Sequence, residues 1–317
     1  MEQAPPPAVE ARPCSNQEIA ALTSDDPAPF VMTCRAILES RQSVNRRIVF
    51  EGAASSGTGI ECNGARLGRP GSVSSVQAPT VLIQSRQTPT GWNRPTDVTI
   101  SGCVVHGNIR VRGMGAGGDL GPIRASSRTP AHTAAAQAAA PARVTLNGLT
   151  LIATGSIPLY VGPGVTDLVL EDARVTGRSV STAVYLDAES AGALIRRVTF
   201  DIRTAREQIA IDGSARNRIE QNHFALGARG GVFLYRNCGE DAVIRHQTPS
   251  DNIIAGNTFT GARWLWPNTV VVGSREGRRR YCDADRGWPF GSSVDDGDRA
   301  DGNVVSGNVV RYGWRPF

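Results

Sequence analysis

Short apolar runs of period two, broken by Gly, Asn or Asp, recur along this chain and set its architecture. The recurring form is apolar, x, apolar, x, x, small or Asn, x, apolar. It reads VTISGCVVHG from Val98, VTLNGLTLIA from Val144, LVLEDARVTG from Leu168 and ALIRRVTFDI from Ala193. It continues as NRIEQNHFAL from Asn217, NIIAGNTFTG from Asn252 and NVVSGNVVRY from Asn303. Aligned, these segments place Cys103, Leu149, Ala173, Val198, Asn222, Asn257 and Asn308 in one slot, at intervals of 46, 24, 25, 24, 35 and 51 residues. The shorter intervals are one unit long; the longer ones hold a unit plus an insertion. Runs of this kind predict strands. One such coil cannot bury its apolar face alone, so neighbouring coils must stack.

A second run follows the first: NIRVRGMG from Asn108, PLYVGPG from Pro158, AVYLDAES from Ala183, QIAIDGSA from Gln208, VFLYRNCG from Val232 and VVVGSREG from Val270. With Val184, Leu186, Ile209, Ile211, Val232 and Leu234 facing inward, the alternate residues form an outer wall. Its first column is Arg110, Tyr160, Tyr185, Ala210, Phe233 and Val271. Its second is Arg112, Gly162, Asp187, Asp212, Tyr235 and Gly273, and Glu189, Ser214, Asn237 and Arg275 lie beyond the turn. A slip of one residue would exchange wall for core.

Asn222, Asn257 and Asn308 carry a second argument. A buried Asn is costly unless its amide is satisfied, and three in register can hydrogen-bond up and down a stack. On the repeat and this asparagine ladder, residues 45–317 resemble the right-handed parallel β-helix proteins of the pectate-lyase-like superfamily, an all-β solenoid. The resemblance covers the fold and brings no catalytic signature, and fold alone does not set activity.

The flanking segments fit that frame. Ser15 with Glu18 three residues on forms a capping box, so a short helix to about Leu22 within residues 14–44 can cap the open end of the β-helix. Residues 1–13 are Pro-rich and expected to be disordered. The Gly-, Ser- and Ala-rich stretch from Gly113 to Pro141 reads as a surface loop. Six cysteines without a CxxC pair read as three disulfides. Proximity in the expected fold pairs Cys14–Cys34, Cys62–Cys103 and Cys238–Cys282. Disulfides imply a secreted or periplasmic protein. The opening Met-Glu-Gln-Ala-Pro-Pro-Pro has no apolar signal region, so a removed signal peptide is expected. No apolar run approaches the roughly 18 residues that span a bilayer.

Charge narrows the chemistry. The Lys+Arg total of 34 is entirely arginine, and the formal net charge is +5. Cationic contacts are therefore guanidinium forks suited to carboxylate, sulfate or phosphate, and a lysine base or Schiff base is excluded. An anionic partner fits; nucleic acid does not, since no basic run interleaves with aromatics.

Asp187 and Asp212 are expected side by side on the surface, about 4.8 Å apart, with Tyr160, Tyr185 and Phe233 offering faces for sugar rings. Insertions from Cys238 to Ser250 and from Ser274 to Ala300 bring Arg236, Arg245, His246, Arg275 and Tyr281 to Tyr235. Asp283, Asp285, Asp295, Asp296 and Asp298 admit calcium, although their spacing fits no EF-hand and a solvated acidic loop is the ordinary reading. No cofactor is required, no metal ligands are assigned, and a monomer is expected.

The first functional expectation is a lyase cleaving a uronic-acid polysaccharide by β-elimination. Arg236, Arg275 or Arg112 would neutralise the carboxylate, and Tyr235 or His246 would act as base or acid. Asp187, Asp212 and Glu189 complete the set. An arginine base is implied by the resemblance only. The alternatives are a glycoside hydrolase using the Asp187/Asp212 pair and a non-catalytic β-helix that binds glycan.

Overall fold

A computed structural model describes residues 11–115, 118–262, 266–276, 291–292, 294–295 and 297–313. The chain is a parallel β-helix, each coil giving a strand to three nine-stranded parallel sheets. Sheet one runs from Arg35–Ile37 to Val304–Ser306, sheet two from Ser43–Val44 to Val309–Gly313, and sheet three from Phe30–Val31 to Val270–Val272.

Two corners of each coil turn on one residue of positive φ. Gly102, Gly148, Asp172, Arg197, Gln221, Gly256 and Gly307 lead into sheet two, and Asp97, Arg143, Asp167, Gly192, Arg216, Asp251 and Gly302 lead into sheet one. A non-glycine residue there costs roughly 1 kcal/mol or more. Ion pairs offset part of that cost: Arg197 grips Asp172 and Arg143 grips Asp97, all four bonds at 2.7 Å.

The residue after each such corner is the repeat slot. Asn222 N donates to Asn257 Oδ1 and Asn257 N to Asn308 Oδ1, both at 2.9 Å. Asn217, Asn252 and Asn303 form a second ladder at the other corner with the same 2.9 Å bonds. The first ladder matches the expected one; the second was not anticipated, although its members open the three aligned segments. Between the corners, Phe200, Phe224 and Phe259 stack through the core at 4.8 Å. Asn257→Ala would orphan the Asn222 N–H and the Ile219 carbonyl. It should cost about 2–4 kcal/mol, read as a lower denaturant midpoint at unchanged slope.

Helix α1 (Asn16–Leu22) begins with the Ser15–Glu18 capping box and buries Leu22 against the first coil. The Cys14–Cys34 and Cys62–Cys103 disulfides are present. Cys282, the expected partner of Cys238, lies outside the described residues, as do residues 1–10 and Tyr281. Among the described residues no helix is long and apolar enough to cross a membrane.

The stretch from Gly113 to Pro141 departs from the surface loop expected. It contains α2 (Gly121–Ser127) and α3 (His132–Ala139). Its alanines are the strongest helix formers, and Pro122 is at the start of α2, where a proline is tolerated. Helix α3 lies so close to the wall that a Cβ on Gly164 would fall 2.2 Å from the Ala136 carbonyl oxygen.

Candidate functional site

Sheet three carries the wall in the register read from the sequence. Arg110 pairs with Tyr160, Tyr160 with Tyr185, Tyr185 with Ala210, Ala210 with Phe233 and Phe233 with Val271. The inward residues join the main core, while Tyr185, Ala210 and Tyr235 form a second apolar cluster with Tyr160 and Phe233 against it. Most of the wall is covered. Helices α2 and α3 and the insertion after Cys238 roof it, and Asp187, Asp212, Glu189, Tyr185, Tyr235 and Arg236 are all buried.

Arg245 stands where a bare carboxylate pair was expected on the surface. Its Nη1 lies 2.6 Å from Asp187 Oδ1 and 3.4 Å from Asp212 Oδ2. Burial opposes the guanidinium charge, but Asp212 and Asp187 outweigh it and hold the group above its ordinary range. Asn237 donates to Asp212 through its backbone N at 2.7 Å and its Nδ2 at 2.6 Å. Tyr185 donates to Asp212, and Tyr160 donates to Asp187 at 2.5 Å. Burial, with the adjacent carboxylate charge, pushes both phenols well up.

Further along the wall, Tyr235 donates to Glu207 at 2.8 Å and accepts from Arg206 at 2.5 Å. The Arg275 guanidinium lies 3.9 Å from the Tyr235 ring centroid and donates to Asn237. Arg236 donates to the Gly297 carbonyl, and Asp298 accepts the backbone N–H groups of Arg236 and Arg275. These bonds fasten the segment at Gly297 and Asp298 to the end of sheet three. Of the acidic cluster, Asp283, Asp285 and Asp296 lie outside the described residues, and Asp295 pairs with Arg299 at 2.7 Å.

Glu189 joins the two roofing segments. It accepts from Thr133 Oγ1 of α3 at 2.5 Å and from the His246 backbone N at 2.7 Å. Burial pushes its carboxyl up. Beside it, His132 bonds Ser126 Oγ through Nδ1 at 3.0 Å, and its ring meets that of His246 at 5.1 Å. His246 in turn bonds the Ser127 carbonyl.

Burial, with the charges of His246 and Arg245, lowers His132 from 6.5 to about 4. Above pH 6.5 both folded and unfolded states hold it neutral. Between 6.5 and 4 the unfolded chain takes a proton that the folded protein refuses, so stability falls as pH drops through that window. The full effect is on the order of 3 kcal/mol, offset in part by Glu189, whose raised pKa acts oppositely. Thermal melts should show a fall across this window that His132→Gln flattens.

A cleft remains open between the wall and its roof. It has a volume of about 320 Å³ and is lined by Arg110, Arg112, His132, Tyr160, Asp187, Glu189 and Arg245, with Met114, Leu120, Ile123, Val243 and Ile244 on its apolar side. The arrangement brings together four of the expected site residues, Tyr160, Asp187, Glu189 and Arg112. Tyr185, Asp212, Phe233, Tyr235, Arg236, His246 and Arg275 lie outside the lining.

Arg110 is the residue that sequence reasoning placed in the wall but not in the site. It is 5% exposed. The Tyr160 ring lies 4.8 Å from its guanidinium carbon, its Nε has no hydrogen-bond acceptor, and the charges of Asp187 and Arg112 act on it. Burial lowers its pKa to about 10, so it stays charged near neutrality. A buried cation that makes no ion pair among the described residues, with Asp187 acting on it only at longer range, and that faces a cleft, can accept a ligand anion. The sequence signal was present: Arg110 aligns with apolar or aromatic residues in every later coil. His132 was missed with the helices that carry it.

No protein-family model matches this chain, and no curated protein matches it.

Proposed function

We propose that the cleft receives a uronate residue of an acidic polysaccharide and that the protein is a lyase of the pectate-lyase-like superfamily. The carrying observation is the buried Arg110 guanidinium beside Tyr160, which makes no ion pair among the described residues. A fork of N–H donors suits a carboxylate, the half-buried Tyr160 ring offers a face to a sugar, and the opposite side of the cleft is apolar. The two disulfides fit work in an oxidising compartment outside the cytoplasm.

Elimination removes the C5 proton, forms the C4–C5 double bond and expels the C4 oxygen, which must gain a proton. Arg110, with Arg112 beside it, would neutralise the carboxylate and stabilise the charge that develops on it. Asp187 and Tyr160 are the proton carriers of the cleft. Asp187, which lines the cleft, would remove the C5 proton while the Tyr160 phenol gives its own proton to the leaving oxygen. Asp187 then passes its proton to Tyr160. A hydrolase using Asp187 and Asp212 has less support, because Asp212 is fully buried and both carboxylates share Arg245.

The test is incubation with a panel of acidic polysaccharides, with and without calcium, followed near 230 nm, roughly where the unsaturated uronate made by elimination absorbs. A rise with one polymer, lost on Tyr160→Phe, is expected. Reducing ends without the absorbance would mean hydrolysis, and binding without either product would mean a glycan-binding β-helix.

A further inference from the structure

Resting on the uronate reading, we infer that the cleft takes the end of a polysaccharide chain and not its middle. An extended polymer lying on a β-helix would run along the coil axis, across successive outward residues of sheet three. Here the first column of that path is shut on both sides of Tyr160. Toward the N terminus the outward residues Leu82 and Val49 pair in register below Arg110 and are buried. Toward the C terminus Tyr185 and Ala210 are buried, as are Asp212 and Arg245. That column leaves no continuous groove, while Arg112, Gln84 and Glu51 of the next column are half-buried and Gln84 is bonded to Glu51.

The flanks are closed as well. On one side, α2 and the insertion after Cys238 are tied into a single rim. Arg124 Nε donates to the Asp241 carbonyl at 2.6 Å, and the Ile244 N–H donates to Ser127 Oγ at 3.1 Å. On the other side, Arg112 Nη2 donates to the Val76 carbonyl at 2.7 Å and Asn108 Nδ2 to the Ser75 carbonyl at 3.0 Å. Ser74 Oγ meets Ser156 Oγ at 2.7 Å, holding the same loop against sheet two. What remains is a pocket at the lower end of the roughly 300–1,000 Å³ range of small-ligand sites. A reducing-end uronate, whose C4 oxygen carries the rest of the chain, fits such a pocket, with Arg110 at its inner wall and the chain leaving through the mouth.

Size-defined uronate oligomers, from trimers upward, test this in two ways. Titration with the Tyr160→Phe protein should give one molecule bound per reducing end, with affinity per chain unchanged as the oligomer lengthens. Capping that end should abolish binding. With the unaltered protein, oligomers tagged at the non-reducing end should shorten by one constant small product while the long remainder persists. A ladder of intermediate sizes, or bound protein that increases in proportion to chain length, would overturn the chain-end reading and leave the uronate site standing. If no uronate oligomer binds at any length, the uronate reading fails and this inference with it.

Discussion

Arg110→Met should cost about 100-fold in affinity for a uronate oligomer, equivalent to about 3 kcal/mol, while leaving the protein as stable as before or more so. The two signs come from one cause. In the free protein Arg110 is buried beside Tyr160 with no acceptor on Nε, so its charge is carried at a cost that an apolar side chain of similar length avoids. With ligand bound, the same guanidinium receives a carboxylate, and its removal forfeits a charge-assisted pair. Such opposition between stability and binding marks a group kept for function. Calorimetric titration with a short oligomer and a thermal melt of the same preparation measure both. An unchanged affinity, or a large fall in melting temperature, would assign Arg110 to the scaffold.

Arg245→Met should produce the largest loss of stability in the molecule, about 3–5 kcal/mol and on the order of 5–10 °C in melting temperature. Arg245 is the cation shared by Asp187 and Asp212. Without it, two adjacent buried carboxylates face each other. Asn237 and Tyr185 still donate to Asp212, and Ala188 N and Tyr160 to Asp187, but hydrogen bonds from neutral groups do not balance two buried charges. Adding Asp212→Asn to Arg245→Met removes one of those charges and should recover part of the loss. The coupling between the two changes, read from a double-mutant cycle, should be well above that of a surface ion pair. Additive effects would mean that Arg245 contributes through packing alone.

Much of this architecture was legible because a parallel β-helix writes its register directly into sequence. Period-two alternation fixes which residues of Ala183–Leu186 and Gln208–Asp212 face inward, so the column from Arg110 through Tyr160 to Val271 followed from alignment of the second strands. The ladder of Asn222, Asn257 and Asn308 was legible because a buried amide recurs only where it can be satisfied by its own kind. The second ladder carried the same signal in Asn217, Asn252 and Asn303, and needed only the observation that both corners use the same geometry.

The site was less legible, since it depends on what covers the wall. Nothing in the pattern of Asp187 and Asp212 says that Arg245, more than thirty residues away, returns between them. The alanine-rich stretch that makes α3 looked like loop because its composition is also that of a flexible segment, and its packing against Gly164 is a tertiary fact. Arg110 stood in the right column from the start. Its significance lies in an ion pair it does not make among the described residues, and that is visible only once its neighbours are placed.

The most direct measurement is a crystal structure of the protein with a short acidic oligosaccharide bound. A terminal carboxylate is expected on the Arg110 guanidinium, with its sugar ring against Tyr160 and the rest of the chain leaving through the mouth of the cleft. An oligosaccharide lying along the outer face of sheet one or sheet two, with the cleft beside Arg110 empty, would contradict that placement.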